Sequence, residues 1–252
     1  MRLLVDFLCR FGWGLAAALV LTPAALVPAG FFRVNMLVVL GLATFAALLA
    51  GQTLPAYGWL LPAAAAVIAW MGSVAWFAER SRPGLAFCAA AASLLAAATA
   101  VVQLQPGGPT TAGWAGQVAA VGTALLSGLV TGLTVHAMLL GHWYLNAPGM
   151  RVDVLRRMID MALVAWAAQL VVALASALPA GPLAAIPSGG ATTTALAALR
   201  WLAGLAGLPV LLWMSRKTLE IPNTQSATGI LYVACLAAIL GELTAQLLSA
   251  AA

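Results

Sequence analysis

The stretch Gly128-Leu-Val-Thr-Gly132-Leu-Thr-Val-His136-Ala-Met-Leu-Leu-Gly-His142-Trp-Tyr144 decides how this chain folds. It lies in the longest apolar run of the sequence, about 114–144, and contains both histidines. About 20 residues of helix, rising about 1.5 Å each, cross a hydrocarbon core about 30 Å thick. Gly128-x-x-x-Gly132 adds a stripe of small residues on which another helix backbone can approach closely, and His136 follows one turn later on the same stripe.

Outward from this run the chain has the same character. Hydrophobic residues make up 64% and charged residues 7% of the 252 positions, where soluble domains carry about a quarter charged residues. The mean hydropathy is +1.05. Apolar runs recur at about 11–29, 34–51, 57–78, 84–103, 155–179, 193–215 and 225–249, giving eight spans with the central one. The runs are continuous, not alternating, which excludes a β-barrel. The fold class is therefore an all-α polytopic membrane protein: a bundle of about eight transmembrane helices with short loops, forming one integral membrane domain over 1–252. The longest connection, Ala180–Thr192, is uncharged and too short for a soluble domain. A similar turn follows span one (Pro28-Ala-Gly-Phe-Phe-Arg33) and span five (Pro148-Gly-Met-Arg151), so a weak four-plus-four repeat, 1–112 and 113–252, stands beside chance similarity of turn residues.

Eight cations, Arg33, Arg80, Arg82, Arg151, Arg156, Arg157, Arg216 and Lys217, fall after spans one, three, five and seven; the loops after two, four and six have none. The positive-inside rule then places both termini on the non-cytoplasmic side of a bacterial-type cytoplasmic (inner) membrane. Arg2 and Arg10, read as a tail, oppose this, with Asp6 one turn from Arg10 partly offsetting it. Trp76, Trp143, Tyr144 and Trp213 are expected at the inner interface, and Tyr57, Trp59 and Trp114 at the outer one. Asp6 and Arg10 also interrupt any signal-peptide pattern. The net charge of +5 sits in loops, so nucleic acid is not an expected partner; lipids and other membrane subunits are. Cys9, Cys88 and Cys235 fall in separate spans without metal-ligand or disulfide spacing and are expected as small buried hydrophobes. Pro209, and by the same logic Pro23, is expected to kink its helix, Pro209 freeing the carbonyl near Leu205.

A charge within a span costs at least about 2.5–3.5 kcal/mol, so each such group needs a partner or a role. Arg200 and Glu242 should lie at similar depth and form a buried ion pair, either a helix clamp or part of a passage. A second polar group gathers near the cytoplasmic side: His136, His142, Trp143, Tyr144, Arg156 and Asp160, with Asn223 and Gln225 at the polar start of span eight. Together these offer donors, an aromatic wall and an apolar slot for a quinone or a lipid headgroup. Each also has a plainer role, His142 as an interfacial anchor, His136 as a packing histidine and Asn223 as a helix cap.

The histidines are six residues apart and point roughly 120° away from each other on a helix. They cannot share one metal or haem iron, so no metal site and no intrinsic cofactor is expected. A b-type haem would need methionine as second ligand, with Met138, Met158 or Met161 in reach. No Ser/His/Asp elbow, HExxH, P-loop or facing carboxylate pair is present, so the chain alone is not expected to be an enzyme. The leading functional reading is an integral subunit of a larger assembly, a respiratory or other electron-transfer complex, with a quinone- or lipid-binding pocket near the cytoplasmic leaflet. A small-solute or ion/proton transporter using His136, Asp160, Arg200 and Glu242 is the alternative, and a purely structural or assembly protein the third.

Overall fold

The computed structural model describes residues 1–54, 57–105, 113–147, 150–177, 190–221 and 223–251. Its helices are α1 (Arg2–Leu21), α2 (Ala29–Thr53), α3 (Leu60–Phe77), α4 (Ser81–Leu104), α5 (Trp114–Asn146), α6 (Val152–Ala177), α7 (Ala191–Leu199), α8 (Leu208–Thr218) and α9 (Thr224–Ala251). A π-helical segment, Arg200–Gly207, joins α7 and α8 into one continuous rod. Eight helices, counting that rod once, are long and apolar enough to cross a membrane, and no strand occurs among the described residues. Pro148, Gly149, Pro222 and most of the 180–192 connection lie outside the described residues.

The helices form two rings. α1 packs on α2 and α4, and α3 closes the ring between those two. α5 packs on α6 and α9, and α8 closes the second ring in the same order. The rings meet along α1 and α5, where small residues permit backbone contact. A Cβ added to Gly14 would fall on the Gly128 carbonyl, one on Gly132 would meet the Gly14 backbone, and one on Gly128 would lie 2.5 Å from the Arg10 carbonyl oxygen. Trp13 Nε1 donates to the Leu125 carbonyl, 2.8 Å, across the same seam. Side chains sort by size as helix association in an apolar medium requires. Ala16, Ala18, Ala43, Ala65 and Ala91 are fully buried, whereas Trp70, Phe77, Val164, Leu202 and Leu236 face outward.

The first span differs from its expected position. α1 starts at Arg2, not near residue 11, because Asp6 and Arg10 pair one turn apart at 2.5 Å and are buried in the bundle. Arg10 is thus no tail cation, and only Arg2 is left near that terminus, its guanidinium on the Val102 carbonyl at 2.8 Å. Pro23 does not kink α1. It follows the C-cap Thr22 and ends the helix, a common place for proline. Pro209 sits in the first turn of α8, directly after the π segment, whose wider turn absorbs the missing N–H and the ring.

Trp76 is also displaced from its expected interfacial place. It is buried, stacked on Phe32 at 4.2 Å and 15°. Gly84 lies over the ring, where a Cβ would stand 2.5 Å from Trp76 Cε2. Trp213, Tyr57, Trp59 and Trp114 face outward. The three cysteines are buried and free. α3 ends in a Schellman turn: Arg80 N–H donates to Ala75 O and Glu79 N–H to Trp76 O, with Glu79 at φ 56°.

Candidate functional site

Two polar sites stand out, one inside the bundle and one at its edge. The interior site begins with Arg10, whose two terminal nitrogens divide between Asp6 Oδ2 (2.5 Å) and Glu242 Oε1 (2.8 Å). Gln103 of α4 donates to Asp6 Oδ1, and Gln246, one turn beyond Glu242, donates to Glu242 Oε1, both at 2.8 Å. Ser127 Oγ of α5 lies 3.5 Å from Arg10. Asp6 thus has an amide on one oxygen and the guanidinium on the other, whereas Glu242 receives both its amide and the guanidinium on Oε1.

This changes the expected pairing of Glu242. Its carboxylate contacts Arg10, not Arg200, because α1 carries Arg10 into the interior at the depth Glu242 reaches from the other end. Arg200 lies across a small cavity of about 20 Å³ that Glu242, Ser127, Thr131 and Gln169 also line. Among the described residues Arg200 makes no hydrogen bond or ion pair, though the Glu242 charge acts on it. Behind it, Gly204 and Gly241 meet so closely that a Cβ on Gly204 would lie 2.9 Å from the Gly241 Cα.

The second site is an apolar groove of about 580 Å³ along α6. One wall is the α6 face Asp153, Arg156, Arg157, Asp160, Met161, Val164, Ala165 and Ala168, residues three or four apart; the other is Leu126, Leu129 and Leu133 of α5 with Leu21 of α1. All four charges sit at one end. Arg156 approaches Asp153 at 3.6 Å and donates to the Leu219 carbonyl. Asp160 Oδ1 accepts from Arg216 Nε at 2.8 Å. Arg157 alone has no hydrogen-bond or ion-pair partner among the described residues.

Of the eight residues expected around one ligand, the groove gathers Arg156 and Asp160 only. His136 is fully buried between α1 and α5, its Nε2 2.7 Å from Thr22 Oγ1 and its ring edge-on to Phe31 at 5.3 Å. Thr22 also donates to the Ala18 carbonyl at 2.8 Å and lies 3.6 Å from Met158 Sδ. His136 Nδ1 finds no partner among the described residues. Trp143 packs edge-on against Phe31 at 5.7 Å, and Tyr144 donates to the Arg151 carbonyl. His142 is exposed, with Nδ1 3.2 Å from the Tyr232 hydroxyl on α9. Asn223 caps α9, its Oδ1 accepting from Ser226 N–H at 3.0 Å, and Gln225 is exposed. Phe31, Thr22 and the leucines of α5 are the candidate-site neighbours that sequence reasoning did not name, and Arg157 it named only as a cation at the start of span six. A cationic residue beside Arg156 was the one available signal, since leucines in an apolar chain carry none.

Among the described residues no three His, Cys, Asp or Glu side chains gather in a way that could hold a metal ion. No protein-family model, curated protein sequence or solved structure matches the chain.

Proposed function

We propose that this chain is a multi-pass protein of the cytoplasmic membrane, both termini outside, that binds a tailed amphiphile in the α5–α6 groove. The observation that carries the reading is Arg157, without a hydrogen-bond or ion-pair partner among the described residues, at the charged end of a slot that is apolar along the rest of its length. A groove of about 580 Å³ falls in the range of ligand sites, about 300–1,000 Å³. The face from Asp160 to Ala168 offers about 12 Å of apolar wall at about 1.5 Å per residue. At the charged end, Arg157 and Arg156 present N–H donors to electron-rich oxygens. Quinone carbonyls and lipid phosphates share that chemistry.

The role is read as binding, because the two carboxylates that line the slot, Asp153 and Asp160, are each paired with arginine. A quinone occupant fits an integral subunit of a larger electron-transfer assembly, in which the mobile carrier is shared with redox partners. A phospholipid occupant fits a subunit that uses bound lipid to seal its edge.

The test is extraction and mass analysis of what co-purifies with the mildly solubilised protein. The wild type is expected to retain a quinone or an anionic phospholipid in near one-to-one amount, and the mass names which. Arg157→Gln is expected to lower that amount several-fold while the protein stays folded. Equal retention in both proteins would overturn the assignment to this groove.

A further inference from the structure

The interior site has a charge count that a simple helix clamp does not explain. Asp6, Arg10 and Glu242 form one hydrogen-bonded set with a net formal charge of −1, and Arg200 cancels it without touching it. Glu242 Oε1 is taken by Arg10 and Gln246, and its second oxygen has no hydrogen bond among the described residues. That carboxylate and Arg200 both line the cavity of about 20 Å³, with Gln169 of α6 and Ser127 and Thr131 of α5. A water needs about 10–15 Å³ of such space and two to four polar partners. A metal cation would face the Arg200 guanidinium and an anion the Glu242 carboxylate, and anything much larger than a water does not fit. The occupant that matches is one water.

The depth is also informative. Arg10 lies about 12 Å along α1 from Arg2 at about 1.5 Å per residue, near the middle of this 20-residue helix, and the 2.8 Å contact sets Glu242 at the same depth. In a hydrocarbon core about 30 Å thick both then lie near the centre. Ionisable groups at that depth are costly and mark passages for ions or protons in many membrane proteins. The π segment begins at Arg200 itself, and such wide turns recur where helices carry function.

We propose that this cavity is a proton-exchange site, with Glu242 as the group that takes up and passes on the proton at the centre of the bilayer. It rests on the membrane embedding proposed above and not on the groove. A hydronium in the cavity transfers one proton to the free Glu242 oxygen and stays behind as water, its oxygen keeping the bonding electron pair. The neutral acid then releases Arg10 to Asp6 alone. When the proton leaves from the same oxygen to a water, the carboxylate returns to Arg10 and the set is restored. Arg10 and Asp6 on α1 and Arg200 on the π segment are the charged groups facing Glu242; Gln103, Ser127, Thr131, Gln169 and Gln246 are the polar neutral ones.

Purified protein in liposomes containing a trapped pH-sensitive dye, driven by a potassium diffusion potential, tests this. The wild type is expected to acidify the interior several-fold faster than protein-free liposomes. Glu242→Gln is expected to fall to the protein-free rate. Arg200→Gln leaves the Arg10–Glu242 pair in place, so it folds even if the first variant does not, and its rate is expected to drop several-fold. Replacing sodium and chloride with impermeant ions should leave the wild-type rate unchanged. A wild-type rate equal to protein-free liposomes, an undiminished rate in Arg200→Gln, or a rate that follows sodium or chloride overturns the proposal.

Discussion

Arg10 Nη1 lies 2.8 Å from Glu242 Oε1, tying α1 to α9 across 232 positions of sequence. The same guanidinium holds Asp6, so one cation pairs with two buried carboxylates, and the second positive charge is that of Arg200, on which Glu242 acts across the small cavity. Breaking a buried pair from one side leaves an uncompensated charge, typically costing about 3–5 kcal/mol. Arg10→Met is therefore expected to destabilise by about that much, whereas Asp6→Asn/Arg10→Met/Glu242→Gln, which leaves Arg200 as the one charge of the set, recovers part of the loss. Unfolding in mixed micelles reads both. A triple variant no more stable than Arg10→Met would show that the charges are not what the site depends on.

The α1–α5 seam makes a sharper steric prediction. At Gly132 an added methyl strikes the Gly14 backbone, while at Gly122, on the same helix, nothing lies within 4 Å. Gly132→Ala is expected to cost about 1–3 kcal/mol through forced separation of the helices. Gly122→Ala should be neutral or stabilising by up to about 1 kcal/mol, as for glycine replaced within a helix. Thermal unfolding of the two variants side by side checks the contrast.

Thr22 is the one hydrogen-bond partner of His136 among the described residues. Thr22→Val keeps the volume but leaves both ring nitrogens buried and unpaired, an expected loss of about 1–3 kcal/mol. His136→Phe combined with Thr22→Val removes the polar pair as a unit and should be less harmful than Thr22→Val alone. The same unfolding assay decides it.

Between α8 and α9, outside the spans, the hydrogen bond from Lys217 Nζ (2.9 Å) holds the Glu220 carboxyl below its ordinary value of 4.5, helped by the charges of Lys217, Arg216 and Arg156. Because the folded value is the lower one, the contact contributes above about 4.5, and its contribution is lost as pH falls through the folded value. A carboxyl-detected NMR titration of the wild type should give a Glu220 midpoint under 4.5, and Lys217→Met should move it upward.

The eight long apolar helices were legible because apolar runs of that length have few other outcomes. The first boundary was not, because Asp6 and Arg10 read as a polar tail until Glu242 and Gln103 are seen to receive them, and those partners are far away in sequence. Trp76 misled for a related reason: it sits next to a cationic turn, but Phe32 and Gly84 from neighbouring helices make its pocket. At the site, Arg156 and Asp160 share a face because they are one turn apart, which sequence shows directly. His136 and His142 part company by the helical angle between them, one to Thr22 and one to Tyr232. The groove's leucines were invisible among so many others, and only packing distinguishes Leu129 from its neighbours.

Photolabelling in native membranes tests the amphiphile site most directly. Quinone and anionic phospholipid analogues carrying a diazirine in the tail would be cross-linked and the labelled residues mapped. The account predicts label on Val164, Ala168, Leu126 and Leu129 from one of the two analogues, abolished in Ala168→Trp, which fills the slot. Label spread evenly over outward residues such as Trp70, Val171 and Leu236, and unchanged by Ala168→Trp, would contradict it.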